Sequence, residues 1–387
     1  MHFLDIDSKT LESLGAIHTA REIAQQPAVW QKIWESVNEK KEEIQAFLNG
    51  SEFHKIILTG AGTSAYIGES LVGTFNRAGY TCTSAIPTTN LVSHPYDYFS
   101  KDQSVLLVSF ARSGNSPESK AAVVLADQIS KKCYHLIITC NPEGDLAKYD
   151  TPGEKYIFTL PKETNDKSLA MTSSYSGMLL TGLLVSRLHE VAELQNQVTL
   201  ASEYGTEVLT KYLATIKEIA ALPFKRAVFL GSGPLLGTAT ESHLKLQELT
   251  DGEIICKDES FLGFRHGPKA VVDEETLIVY LMSNESYVSQ YEHDLIFAME
   301  KGKKALAQVA IAERLDFDLD VDYEIRFSDN GKTLDEDFLT LPSIIPGQLL
   351  GFFKSLSEDL QPDAPSSSGA ISRVVQGVNI YDLPLKK

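Results

Sequence analysis

From Lys55 onward the chain repeats one unit, an apolar run, a turn rich in glycine and serine, and an amphipathic helical stretch, and the same series returns near Lys225. KIILTGAGTS leads into AYIGESLVGTFNRAGY, SVLLVSFARSGNS leads into PESKAAVVLADQISKK, and YHLIITCN closes the set. Short apolar runs that hand over to helices through Gly or Ser predict an α/β fold in which a parallel sheet is covered by helices on both faces. RAVFLGSGPLLGTATESHLKL, TLIVYLMSNESYVSQYEHD and KALAQVAIAE repeat the three units, so the fold is expected to be internally duplicated. Trp30 and Trp34, four apart, and the Asn49-Gly50 stop predict a helical arm over residues 1–50 for packing or dimer formation. Residues from about 168 to 222 predict long helices, and IIPGQLLGFFKSL predicts another ahead of a Pro- and Ser-rich tail.

At 387 residues the chain has room for two or three domains, and its net charge of −17 opposes nucleic acid or an anionic membrane as partner. An anionic ligand must therefore be held by local groups against the overall field. The start MHFLDIDSKT carries acids where a secretory leader carries a basic stretch, and runs such as Ser104 to Phe110 are too short to cross a bilayer. A cytoplasmic protein without a membrane partner is expected. Cys82, Cys133, Cys140 and Cys256 form no CxxC pattern, which predicts reduced, buried thiols.

Ligands of parallel sheets lie beyond the carboxyl ends of the strands, where helix N-termini offer free N–H groups and a positive dipole end. Gly60 and Gly62 allow close backbone approach, and Thr63 and Ser64 place hydroxyls at a helix start. Arg112, Ser113, Gly114, Asn115 and Ser116 form a second donor-rich turn before Pro117, with Arg112 as countercharge. Together these loops predict a phosphate site. The bland alternative makes Ser64 and Ser116 simple helix caps. In the second half GSGP keeps its glycines but LMSNESY lacks the Arg-Ser-Gly turn, so one phosphate site per chain is expected.

In TATESHLKLQELTDG, Glu241, Lys245 and Glu248 lie four and three apart on one helical face, bracketed by Leu244 and Leu249. The stripe is either a surface ion-pair ladder or a partly buried carboxylate whose pKa desolvation raises toward that of a general base. GFRHGPKA follows, a loop holding Arg265, His266 and Lys269, where a lone histidine is structural or an acid/base. No His, Cys and carboxylate cluster has metal-ligand spacing, so neither metal nor organic cofactor is expected.

GAGTS with ARSGNSPES, then LKLQEL with FRHGPK, resemble two tandem sugar isomerase (SIS) domains like the isomerase half of glucosamine-6-phosphate synthase. HTAREIAQQP, SFARSGNSPES and the specific tail PSSSGAISRVVQGVNIY extend the resemblance over essentially the whole chain to the AgaS-type galactosamine-6-phosphate deaminase/isomerases, the tagatose-6-phosphate ketose/aldose isomerase family. The resemblance implies a helical arm over 1–50, a first SIS domain over 51–200, a second over 201–360, and a tail over the active site from 361 to 387. It implies phosphate contacts from Ser64, Arg112, Ser113 and Ser116, secondary contacts from Thr63 and Lys245, a base at Glu248, and ring opening by His266, which in the synthase relatives serves a neighbouring subunit; Gly62, Asn115 and Arg373 are expected as further substrate contacts and Lys245 as a further catalytic residue.

Ala111 and Arg112 stand where those relatives have Ser or Gln, Arg373 replaces their lid lysine, and the Ser168 to Thr172 loop matches only loosely a substrate-contacting segment. The glutaminase domain is absent, which points to the amine-releasing direction: D-galactosamine 6-phosphate to D-tagatose 6-phosphate and ammonia, in a homodimer or larger homo-oligomer. A plain ketose/aldose isomerase and a non-catalytic sugar-phosphate sensor are the alternatives.

Overall fold

The computed structural model describes residues 1–384 apart from 300, 316, 317, 329, 330 and 376. Two five-stranded sheets dominate. The first holds β1 (Lys55–Thr59), β2 (Thr83–Ala85), β3 (Ser104–Ala111), β4 (Lys132–Thr139) and β5 (Glu154–Thr159), and the second β6 (Arg226–Leu230), β7 (Ile255–Glu259), β8 (Thr276–Leu281), β9 (Ala307–Ala312) and β10 (Tyr323–Arg326). All pairings are parallel, and the orders β2-β1-β3-β4-β5 and β7-β6-β8-β9-β10 are the same. The expected duplication is therefore present strand by strand. In each order the chain reverses its direction of travel between the first and third strands, which opens a crevice at their carboxyl ends. Thr59 lies opposite Ser109 in the register, so the loops after β1 and β3 leave the sheet side by side.

Helices α1 (Gln26–Glu39), α2 (Thr63–Arg77), α3 (Pro117–Ile129), α4 (Ser173–Ser186), α5 (Gln195–Lys211), α6 (Pro234–Leu249) and α7 (Glu336–Ser357) cover the sheets. Every residue of α4 is buried, as a helix apolar on all sides must be. The arm packs within its own chain: Trp30 of α1 is fully buried and its indole N–H donates to Ser176 Oγ on α4 at 3.0 Å.

One contact sets the site. Helices α2 and α6 cross at Gly237, where a Cβ would lie 2.4 Å from Ser70 Oγ and 2.8 Å from the Tyr66 carbonyl. Only glycine lets the two backbones meet so closely, and the crossing brings the later turns of α6 to the start of α2.

The four cysteines are free thiols, but only Cys133 and Cys140 are buried: Cys256 is half-buried and Cys82 is exposed at the entry to the edge strand β2, against the expectation that all are buried. Among the described residues no helix is long and apolar enough to cross a membrane.

Candidate active site

A cavity of about 540 Å³ opens at the carboxyl ends of β1 and β3. Residues 61–64 form one wall, residues 110–114 with Ser116 and Ser119 a second, and the tail from Gly369 to Arg373 with Val375 a third; Leu169, Met171 and Glu248 complete it. Gly62 (φ 54°, ψ −129°) turns the chain into α2, and Gly233 (φ 55°, ψ −126°) repeats that turn in the second half. A side chain is strained in this backbone conformation, which is why both loops keep the glycine.

The simple-cap alternative for the serines is not what the structure contains. Gly62 occupies the cap position of α2, and Ser116, at the cap position of α3, makes no side-chain cap bond. The hydroxyls of Ser64, Ser116 and Ser119 line the cavity with no hydrogen-bond partner among the described residues. Three such donors beside two helix N-termini suit a multi-oxygen anion. Ser119 was not singled out from the sequence, although its place three residues after Ser116 puts both on one helical face.

Arg112 is a brace as much as a countercharge. Its guanidinium is buried and donates to the carbonyls of Ser168 (3.1 Å), Leu169 (2.9 Å) and Arg373 (2.7 Å). Two of its five N–H groups remain for a ligand. Arg373 faces the cavity wall but spends its side chain on the Asp166 carbonyl (2.9 and 2.6 Å) and Asn165 Oδ1 (2.9 Å). Ser113 Oγ accepts from the Asn115 backbone N–H at 3.2 Å. Asn115 itself is exposed and does not line the cavity: its Oδ1 accepts from the Asp145 N–H at 3.0 Å, tying this loop to the one after β4.

The polar stripe of α6 is no surface ladder. Glu241 and Lys245 are fully buried, and only Glu248 reaches the cavity, with 25% of its side chain exposed. Lys245 Nζ lies 2.5 Å from Glu248 Oε2, 3.1 Å from Thr63 Oγ1 and 3.3 Å from Glu241 Oε1. The lysine thus stands behind the cavity and links the catalytic candidate on α6 to the loop at the start of α2. Burial pulls its ammonium down, but the acidic side chains of Glu241 and Glu248 outweigh this and push it up overall. Desolvation pushes Glu241 up to about 8, against the pull of Lys245, and neither of its oxygens makes an aligned hydrogen bond. At neutral pH the triad therefore holds one ammonium at Lys245 and one protonated carboxyl at Glu241.

His266 is exposed on the loop after Phe264 and is not among the residues lining this chain's cavity.

In the second half Glu292, fully buried, accepts from the Ser283 N–H at 2.9 Å just after β8, so a carboxyl of the chain itself takes a donor of that loop. Desolvation pushes this carboxyl up to about 7.

One set of metal-ligating residue types does converge, although sequence spacing pointed to none: Asp127, Cys133 and His135 have ligand atoms within 4.8 Å of one another. Asp127 is already saturated, by His135 Nε2 (2.9 Å), Tyr149 (2.9 Å) and Thr151 (2.7 Å), and burial keeps the Cys133 thiol protonated. Its chemistry is that of a hydrogen-bonded core network.

The SIS domain family matches residues 51–186, the segment that carries both serine loops. A D-galactosamine-6-phosphate deaminase AgaS from Shewanella sp. (strain ANA-3) is 41% identical over 97% of this chain and 95% of its own length. The protein of that name from Escherichia coli is 38% identical over 94% of this chain and 95% of its own. Among solved structures, one from Clostridium novyi NT covers 99% of this chain and 100% of its own at 38% identity and TM-score 0.94. A tagatose-6-phosphate ketose/aldose isomerase from Escherichia coli covers 95% of this chain and 97% of its own at 33% identity and TM-score 0.84. With its duplicated sheets, its serine loops and relatives that match it nearly end to end, the chain belongs to the AgaS family of SIS-domain proteins.

Proposed function

We propose that this chain is a cytoplasmic deaminase that converts D-galactosamine 6-phosphate and water to D-tagatose 6-phosphate and ammonia. The observation that carries the reading is that Glu248 shares one cavity with the unpartnered hydroxyls of Ser64, Ser116 and Ser119. The identity of 41% to the Shewanella deaminase supports the substrate.

The phosphate sits on the N-termini of α2 and α3. Each helix dipole contributes roughly 0.3–1 kcal/mol and each charge-assisted hydrogen bond about 1.5–3 kcal/mol, enough together to hold a dianion in an acidic protein. Arg112 adds countercharge through its two remaining N–H groups. Thr63 Oγ1, engaged by Lys245, belongs to the floor of this site, and Arg373 holds the tail as a wall.

Once the sugar ring is open, Glu248 takes the C2 proton. The C2–H electrons form a C1=C2 double bond and the aldehyde oxygen gains a proton, giving an enolamine. Glu248 returns its proton to C1 while the nitrogen lone pair forms C2=N. Water adds to that carbon, the C–N bond breaks, and ammonia leaves, so the net reaction hydrolyses a C–N bond. Lys245 aims Glu248 through the hydrogen bond from its Nζ to Oε2. His266 opens the ring from a neighbouring copy of the chain, a reading supported by its exposure and by its place outside its own chain's cavity.

The match to the Escherichia coli tagatose-6-phosphate isomerase favours a second reading, isomerisation without loss of nitrogen. Purified protein is incubated with galactosamine 6-phosphate, glucosamine 6-phosphate and tagatose 6-phosphate. Ammonia released from the galacto compound in preference to the gluco compound is the expected result. Conversion of tagatose 6-phosphate to an aldose with no ammonia from either amino sugar would establish the second reading instead.

A further inference from the structure

Glu22 lies in the arm helix Ile17–Ala24, is 5% exposed, and lines no part of the cavity. Yet its side chain collects donors from one turn of the chain. Oε1 accepts from the Lys167 N–H at 2.6 Å, and Oε2 accepts from the Ser168 N–H at 3.4 Å and from Ser168 Oγ in a short contact. The Glu22 carbonyl also accepts from Ser173 Oγ at 2.6 Å, which fixes the far end of the same segment. That segment presents the carbonyls of Ser168 and Leu169 to Arg112, and the Asp166 carbonyl to Arg373.

Two further contacts close the arrangement. Asp166, fully buried, accepts from Thr172 N–H (2.8 Å), Ser174 N–H (2.8 Å) and Ser174 Oγ (2.6 Å). Leu169 N–H donates to the Asp363 carbonyl at 3.0 Å, while the Asp363 carboxylate takes the N–H groups of His18 (3.1 Å) and Thr19 (2.7 Å). Arm, turn and the chain after α7 are thus tied at one place, directly behind the guanidinium of Arg112.

We propose that Glu22 is a positioning residue for the phosphate-binding part of the cavity: it fixes the turn at 167–170, and the carbonyls of that turn fix Arg112. The demand on the side chain is specific. Three donors converge on it, and only a carboxylate offers two acceptor oxygens and no donor. Glutamine would put an N–H₂ group against one of the N–H donors. Burial, with Asp166 nearby, pushes this carboxyl up to about 7, while the three donors pull it back toward the carboxylate form.

The inference rests on the reading of the cavity as an anion site. Its test compares the native protein with Glu22→Ala and the similarly sized Glu22→Gln, each alone and combined with Arg112→Ala. KM and kcat for ammonia release from galactosamine 6-phosphate are measured, and the affinity for inorganic phosphate is measured by calorimetry.

Glu22→Ala is expected to raise KM about tenfold with kcat within about twofold, because the lost interaction serves ground and transition states alike. On the Arg112→Ala background the same change is expected to move KM less than about twofold, since residues acting through one another are not additive. Phosphate affinity should fall in the same proportion. Fold-changes that multiply in the double variants, a loss of kcat at unchanged KM, or no change in either would overturn the proposal. Should the native protein release no ammonia, the deaminase reading fails by itself and the phosphate titrations still decide the role of Glu22.

Discussion

Replacing Lys245 with methionine removes the one cation between two carboxyls while keeping the length of the side chain. The lysine's partners are Glu248 at 2.5 Å, the Thr63 hydroxyl at 3.1 Å and Glu241, protonated at neutral pH, at 3.3 Å. Breaking a pair in which both charges are buried costs about 3–5 kcal/mol. Here the loss is smaller, because Glu248 can turn to the water of the cavity and Glu241 stays neutral. The bonds to Glu248 and Thr63 are both charge-assisted, at about 1.5–3 kcal/mol each, and the first is partly remade with water, which leaves about 2–4 kcal/mol. For 387 residues unfolding as one cooperative unit, with an unfolding entropy of about 2.1 cal/mol/K per residue, that lowers Tm by about 2–5 °C. Turnover should suffer more. With its aim lost, Glu248 is expected to lose on the order of a hundredfold in kcat.

Calorimetry and ammonia release read the two effects separately, and Glu241→Gln is the control. Because Glu241 is pushed up to about 8, a neutral isostere should match the native protein in melting and turnover below pH 7. A Lys245→Met protein with kcat within twofold of native would refute the orienting role. A Glu241→Gln protein as damaged as Lys245→Met at pH 6.5 (about 1.5 units below that value) would refute the proton assignment.

Ser116→Ala and Ser119→Ala should each raise KM several-fold with kcat little changed, since each removes one hydroxyl bond of about 1 kcal/mol from a group that does not react; unchanged KM in both would place the phosphate elsewhere. Glu22, Glu241 and Glu292 are pushed by burial from an ordinary 4.5 to about 7, 8 and 7, so the folded protein holds protons that the unfolded chain has lost. Their contribution to stability is full below about pH 4.5 and is lost as pH rises through 7 to 8, so Tm should fall over that window. Glu292→Gln, far from the chemistry in this account, should flatten part of the slope, and a variant that keeps the whole slope would contradict the burial argument.

The central strands and both glycine turns are legible because buried parallel strands are continuous apolar runs and the turns demand glycine. The edge strands are not. Thr83–Ala85 is three residues long, and Ile255–Glu259 reads ICKDE, a polar segment that becomes a strand only by pairing with β6.

The same division runs through the site. Ser64, Arg112, Ser116 and Glu248 stand out because their chemistry is carried by local spacing. Asn115 shares that local signal yet points away, since the loop after β4 supplies it with a donor that no local pattern announces. Glu22, Leu169, Met171 and the tail residues 369–372 reach the site through contacts between distant segments, and those depend on how the two halves and the arm pack. His266 lies in a conspicuous motif but is exposed and lies outside the residues that line its own chain's cavity.

The claim that the cavity moves a proton through Glu248 is tested most directly by Glu248→Gln. This change keeps the size of the side chain and removes only the base. Binding of galactosamine 6-phosphate should stay within a few-fold of native while ammonia release falls by about a thousandfold or more. A Glu248→Gln protein that turns over at a near-native rate would contradict the account.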